Sequence, residues 1–337
     1  MAEKSDRRAF LNRTLLGAAG LGAAYSFEEK ILLNALEGQA AEIGPAKAEA
    51  AGSLPHGKIG NVSISRLFLG GNLIGGWAHS RDLMYVSQLF KAYNTDAKIF
   101  ETLEIAEQHG INTVLIDPVS QNVVERYKRQ RGGKIQTMVC IHPDADTGQM
   151  QREVKDLVDK GATLLYTHGE LTDGHTRADR VHVLAKAMEL IQQQGVPAGI
   201  GSHSLETPMA CERQGVHADF YVKTLHMDRY WSATPPEKRE EWCWYKPQSS
   251  EHDGFHDNMW CLDAEKTISF METVKKPWVA FKVMAAGAIP PRMAFPYAFR
   301  HGADFVVAGM FDFHIAEDVQ LAAEALRKLD QRKREWC

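Results

Sequence analysis

The sequence lacks the patterns that most often announce a bound nucleotide. No glycine-rich G-x-G-x-x-G follows an apolar run. The stretch Gly70-Gly71-Asn72-Leu73-Ile74-Gly75-Gly76 is not followed by Lys-Ser/Thr, which excludes a P-loop and leaves a flexible loop as its reading. The five cysteines, Cys140, Cys211, Cys243, Cys261 and Cys337, show no C-x-x-C spacing, so a zinc ribbon or a thioredoxin motif is excluded. Cys243 and Cys261 share one loop-like region, where pairing in an oxidising compartment stays open. Apolar runs long enough to span a bilayer are absent. So is a basic stripe: 39 Lys and Arg against 43 Asp and Glu give a net charge of −4, which argues against nucleic acid as a partner. The basic runs at 126–131 and 327–334 read as solvated helix faces.

What is present suits one large α/β domain, because 337 residues at 44% hydrophobic and 24% charged can bury a full core. The start reads Ser5-Asp6-Arg7-Arg8-Ala9-Phe10-Leu11, followed by a weakly apolar Gly/Ala-rich stretch over 14–27. Adjacent arginines before Phe-Leu and a short apolar run resemble a twin-arginine signal. The expectation is a signal peptide over 1–40, a linker over 41–56 and a barrel over 57–337. A periplasmic or secreted bacterial protein handed to the twin-arginine translocase follows from it. Oligomeric state is left open.

From residue 59 onward short apolar runs alternate with longer amphipathic ones, the pattern of a parallel sheet wrapped by helices. Strands are predicted at 65–70, 111–116, 137–141, 162–167, 197–201, 219–224, 278–283 and 304–308. Helices are predicted at 97–109, 177–194, 264–275 and 315–331, with Gly110 and Gly195 as stops. Eight βα units in a row favour a closed (β/α)₈ TIM barrel over an open sheet. One connection, an insertion at about 229–263, is long and rich in tryptophan. Its Trp231, Trp242 and Trp244 are candidates for stacking on a sugar ring, the alternative being a lid whose aromatics pack on one another.

The run from Gly57-Lys58-Ile59-Gly60 to Ser65-Arg66-Leu67-Phe68-Leu69-Gly70 resembles the opening hairpin and first strand of the aldo-keto reductases. Ile105-Ala106-Glu107-Gln108-His109-Gly110-Ile111-Asn112, with Leu115-Ile116-Asp117, is similar to the unit that delivers that family's catalytic aspartate, and Gly302-Ala303-Asp304 to its closing unit. The resemblance implies an NADP-dependent reductase in which Asp117 and His168 match the family's aspartate and histidine. The family's tyrosine and lysine are not matched: Pro118-Val119-Ser120-Gln121-Asn122 follows Asp117, His142 stands where the lysine should, and Tyr127 falls well into a helix. Arg292 and Arg300 lie in the right part of the chain to meet a cofactor phosphate.

Barrel enzymes carry their chemistry at the carboxyl ends of the strands. Five of the eight predicted strand ends bring a histidine here, His142, His168, His203, His226 and His314. His142, His168, Glu170, His203 and His226 are therefore the expected shell for a divalent metal, Zn, Mn or Fe. Lys282, in the apolar run Val279-Ala280-Phe281-Lys282-Val283, reads as a barrel-interior base or a buried ion-pair partner. His252-Asp253-Gly254-Phe255-His256-Asp257 reads as a solvated turn. Three functions stand open: a metal-dependent lyase, isomerase or hydrolase acting on a small sugar, polyol or related carbonyl compound, with Asp117, His168 and Lys282 in catalysis; an NADP-dependent reductase; and a non-catalytic periplasmic ligand-binding barrel.

Overall fold

A computed structural model describes residues 54–79, 83, 85–241 and 259–337. The expected signal peptide, most of the linker, Trp242, Trp244, Cys243 and the turn from His252 to Asp257 lie outside the described residues.

Eight parallel strands close into a barrel: β3 (Leu67–Gly70), β4 (Thr113–Ile116), β5 (Gln136–Ile141), β6 (Leu164–Thr167), β7 (Ala198–Ser202), β8 (Phe220–Thr224), β9 (Trp278–Phe281) and β10 (Phe305–Gly309), with β10 returning beside β3. Each falls within two or three residues of its predicted place. A hairpin of β1 (His56–Ile59) and β2 (Val62–Ser65) precedes them, turning at Gly60 with φ +59°. It sends Ile59 and Ile64, both fully buried, into the same cluster as the barrel interior, closing the end where the strands begin.

Side chains alternate along each strand, so two separate cores form. Phe68, Met138, Leu164, Tyr166, Phe220, Val222, Val279 and Phe305 fill the interior. Leu67, Val114, Val139, Leu165, Ile200, Tyr221 and Ala280 face the helices. Each of these fully buried large apolar groups contributes about 1.5–3 kcal/mol. Two interior glycines on β7 make room: a Cβ at Gly199 would lie 2.3 Å from the Phe220 ring, and one at Gly201 would lie 2.1 Å from the Thr167 carbonyl oxygen.

The helices between strands are α1 (Asn72–Gly75), α2 (Tyr85–Tyr93), α3 (Asp96–Gln108), α4 (Gln121–Arg131), α5 (Thr147–Asp159), α6 (Gly169–Arg177), α7 (Val181–Gln192), α8 (Glu206–Arg213), α9 (Ala264–Met271), α10 (Pro291–Arg300) and α11 (Ile315–Arg327). Three details differ from expectation. The helix expected at 177–194 is α7, which begins four residues later at Val181, while a separate α6 ends at Arg177, with Asp179 between them at φ +54°. The stretch after Gly71 forms the short α1, which Gly76 ends at φ +73°. Finally, β9 stops at Phe281, so Lys282 stands just beyond the strand rather than inside it.

At the barrel's amino-terminal end the chain terminus is tied down by charge. Asp304, fully buried, accepts from Arg332 at 2.8 Å and Arg334 at 2.7 Å, and also from the backbone N–H groups of Trp278 and Cys337. Arg66 donates to the Asp304 carbonyl, and the Trp336 ring stacks 3.9 Å from Arg66 and 3.6 Å from Arg332. Removing one partner of a buried pair strands the others in low dielectric. Asp304→Asn is therefore expected to lower unfolding stability by about 3–5 kcal/mol in urea titration, and an unchanged midpoint would contradict the anchoring role.

Candidate functional site

The interior alternation continues past the strand ends. On β4, β5, β6 and β7 the next inward positions are Asp117, His142, His168 and His203. Four chemistry-bearing side chains from four successive strands thus border one mouth.

Asp117 is held by the first turn of α4. Its Oδ1 accepts from the N–H groups of Val119 and Ser120 at 2.8 and 3.0 Å, and its Oδ2 from the Ser120 hydroxyl at 2.7 Å and the Trp77 indole at 3.3 Å. His142 sits at the edge, about half exposed. Its Nδ1 pairs with Glu153 at 2.6 Å, and its N–H donates to the other Glu153 oxygen at 3.0 Å. The carboxylate raises the proton affinity of this imidazole above its ordinary value, outweighing partial burial.

His168 experiences the opposite environment. Its ring stacks on His142 with centroids 6.0 Å apart and planes 26° apart, and its Nδ1 is buried without a hydrogen-bond partner. Burial first, then repulsion from His142 and Lys282, pushes its pKa down to about 4 against the pull of Asp117.

His203 is almost wholly buried and depends on a residue that sequence reasoning missed, Asp173 on α6. Asp173 accepts from the His203 backbone N–H at 2.8 Å and the Thr207 hydroxyl at 2.8 Å, and shares a hydrogen bond with the His203 ring Nδ1 at 3.0 Å. Burial pushes the carboxyl up to about 8 against those donors, and pushes His203 well below its ordinary value. One proton therefore lies between two groups that both resist charge. The signal for Asp173 was weak, a lone acid in Thr172-Asp173-Gly174-His175.

Lys282 reaches the mouth by a backbone device. Strand parity would send it outward beside Ala280, but its φ of +57°, followed by Ala285 and Ala286 at +47° and +55°, turns the chain. Non-glycine residues adopt this conformation at a cost of about 1–2 kcal/mol each, sustained only where the surroundings enforce it. The ammonium then lies 2.6 Å from His79 Nε2 and 4.0 Å from the centre of the Trp260 ring, which also packs 4.7 Å from His203. His79 and Trp260 are thus mouth residues, and neither was among the expected site residues.

The expected metal shell does not assemble. His226 is buried with both ring nitrogens engaged: Nδ1 donates to the Met227 carbonyl at 2.8 Å, and Nε2 accepts the N–H groups of Trp260 and Cys261 at 3.1 and 3.0 Å. It pins the long connection rather than facing a ligand, and burial keeps it neutral with a pKa of about 4. Glu170 is exposed on α6. With His142 and His203 also committed through Nδ1 to carboxylates, no three His, Cys, Asp or Glu side chains among the described residues are placed to hold a metal ion. Arg292 and Arg300 stand on the first and last turns of α10, about 12 Å apart along its axis. Trp231 is 84% exposed, and Tyr127 is buried against Glu107, away from the mouth. Cys261 is a free thiol beside Thr267.

No protein-family model matches the chain, and no curated protein matches it either. Solved structures do. Two described as aldo-keto reductases from Pseudomonas aeruginosa superpose with TM-scores of 0.55 and 0.54 at 16% and 17% identity, covering 81% of this chain and 97% and 98% of theirs. The barrel is aldo-keto reductase-like in fold. At such identity the likeness concerns the fold alone.

The opposed environments of His142 and His168 predict separate titrations. In NMR, His168 is expected to protonate only near pH 4 and His142 above its ordinary value of 6.5, with Glu153→Gln bringing His142 back down. Between pH 6.5 and about 4 the unfolded chain binds protons that His168 and His226 refuse when folded, so stability falls as pH drops through that window. The His142–Glu153 contribution has the other sign, being full below 6.5 and lost as pH rises through the raised value. A His168 titration near 6.5 would contradict the buried environment assigned to it.

Proposed function

We propose that the barrel mouth is an acid–base site that moves protons on a small sugar, polyol or related carbonyl compound, in an isomerase or lyase reaction. The observation that carries this reading is the stacked pair of imidazoles whose surroundings drive their proton affinities apart. Titratable neighbours separated in this way supply an acid and a base at one pH.

In this scheme Glu153 keeps His142 protonated, so that it donates to a carbonyl or hydroxyl oxygen. His168, kept neutral by burial, accepts the proton from carbon. The Lys282 ammonium, held over Trp260, stabilises the negative charge that develops on oxygen as the C–H bond breaks. Asp117 is fixed by α4 and offers a carboxylate edge to substrate hydroxyls.

Among the described residues no three His, Cys, Asp or Glu side chains are placed to hold a divalent metal, and no step is assigned to one. A nicotinamide-dependent reductase is the second reading, supported by the resemblance in fold. It has no phenol at the family's position.

The test is a screen of hydroxy-aldehydes and hydroxy-ketones in D₂O, read by NMR for exchange of the C–H beside the carbonyl. Exchange by the wild type, reduced about 10²–10⁴-fold in His168→Asn and also lowered in Lys282→Met, is the expected result. A panel showing no exchange above buffer, or exchange untouched by His168→Asn, would sink the reading.

We also propose export through the twin-arginine translocase, supported by Arg7-Arg8 before Phe10-Leu11. Arg7→Lys with Arg8→Lys is expected to hold a reporter fusion in the cytoplasm. Undiminished export of that double variant would refute it.

A further inference from the structure

Lys223 is among the largest fully buried side chains of the protein, at 1% exposure. It lies on the outer face of β8, beside Tyr221 and out of register with the interior residues Phe220 and Val222. Its Nζ donates to the Thr224 carbonyl at 3.0 Å and the Thr224 hydroxyl at 2.8 Å. Among the described residues no carboxylate lies within 4.0 Å of this amine, and the third N–H finds no protein acceptor. A structural lysine at such depth is normally paired, because an unpaired buried ammonium is costly.

Lys223 is among the residues that line a cavity of about 170 Å³, together with His203, Glu206, Glu241, Asp263 and Lys266. Three carboxylates face two ammonium groups there, which disfavours an anion and suits a neutral, hydroxyl-bearing molecule. Desolvation lowers the lysine's proton affinity, so the free amine is more available than on a surface lysine. His203, with its proton shared toward Asp173, stands at the same cavity.

We propose that Lys223 and this cavity, which shares His203 with the mouth, form a second reactive site in which the ε-amine captures a small neutral hydroxy-aldehyde or hydroxy-ketone as an imine. The amine nitrogen attacks the carbonyl carbon, and the C=O pair moves to oxygen, which gains the proton that nitrogen loses. The resulting carbinolamine expels its hydroxyl as water, taking a proton from solvent, while the nitrogen lone pair forms C=N and nitrogen's remaining proton returns to solvent. One water leaves for each imine formed, and hydrolysis reverses the sequence without any other reactant.

The test uses the full chain with glycolaldehyde and sodium cyanoborohydride at pH 7, followed by digestion and peptide mass mapping. The expected result is an adduct on Lys223 in clear excess of that on an exposed lysine such as Lys58, because desolvation enlarges its share of free amine. Lys223→Arg is expected to remove it, with circular dichroism and thermal melting reporting whether that variant is folded. In the wild type, labelling of Lys223 should also persist to lower pH than labelling of Lys58, a readout that needs no variant. Labelling that survives His168→Asn separates this site from the mouth, so its failure and that of the proton-transfer reading are distinguishable. Adducts on Lys282 alone, adducts no greater on Lys223 than on exposed lysines, or loss of the Lys223 adduct in His168→Asn would each overturn the proposal.

Discussion

A closed parallel barrel imposes one constraint on everything above its strands: side chains alternate between interior and helix layer, and the alternation does not stop where hydrogen bonding does. Leu115, Cys140, Tyr166 and Gly201 point inward, so Asp117, His142, His168 and His203 must do so two residues later. The core thereby aims the mouth. A one-residue slip in any of these strands would bury a charged or imidazole group among the helices and turn an apolar one into solvent.

Within that frame, burial and charge act on similar side chains in different ways. Three imidazoles from neighbouring strands occupy three electrostatic environments, one beside a carboxylate at the rim, one unpartnered and partly buried, and one almost wholly enclosed against Asp173. Lys282 adds a cation that lowers the proton affinity of both inner rings. It is there only because the backbone accepts left-handed conformations just past β9, where regular parity would have placed it among the helices. The Trp260 ring beneath it is positioned in turn by His226, whose two backbone acceptances lock the far end of the long connection. His226 thus serves the mouth through packing, although its strand-end position made it look like a ligand.

Much of the barrel was legible because its signals are local. Short apolar runs of parallel strands, glycines such as Gly110 and Gly195 at helix ends, and the hairpin glycine at 60 each reflect a backbone requirement met by neighbours in sequence. The short helix α6 was not predicted, since Gly169, Gly174 and the polar residues between them carry no clear amphipathic period. The strand-end residues were also legible as a set, since two-residue alternation can be counted from the last apolar residue.

What those residues do together was a different matter. Sequence by itself determined the order of elements, the barrel, and the arrival of Asp117, His142, His168 and His203 at one end of it, because each depends on periodicity within a few residues. Tertiary structure alone decided that Glu153 charges one histidine, that Asp173 clamps another, that His226 turns to the backbone, and that Lys223 borders a cavity. Proton affinity and coordination depend on groups within a few ångströms, and those groups come from elements whose separation along the chain carries no periodic mark.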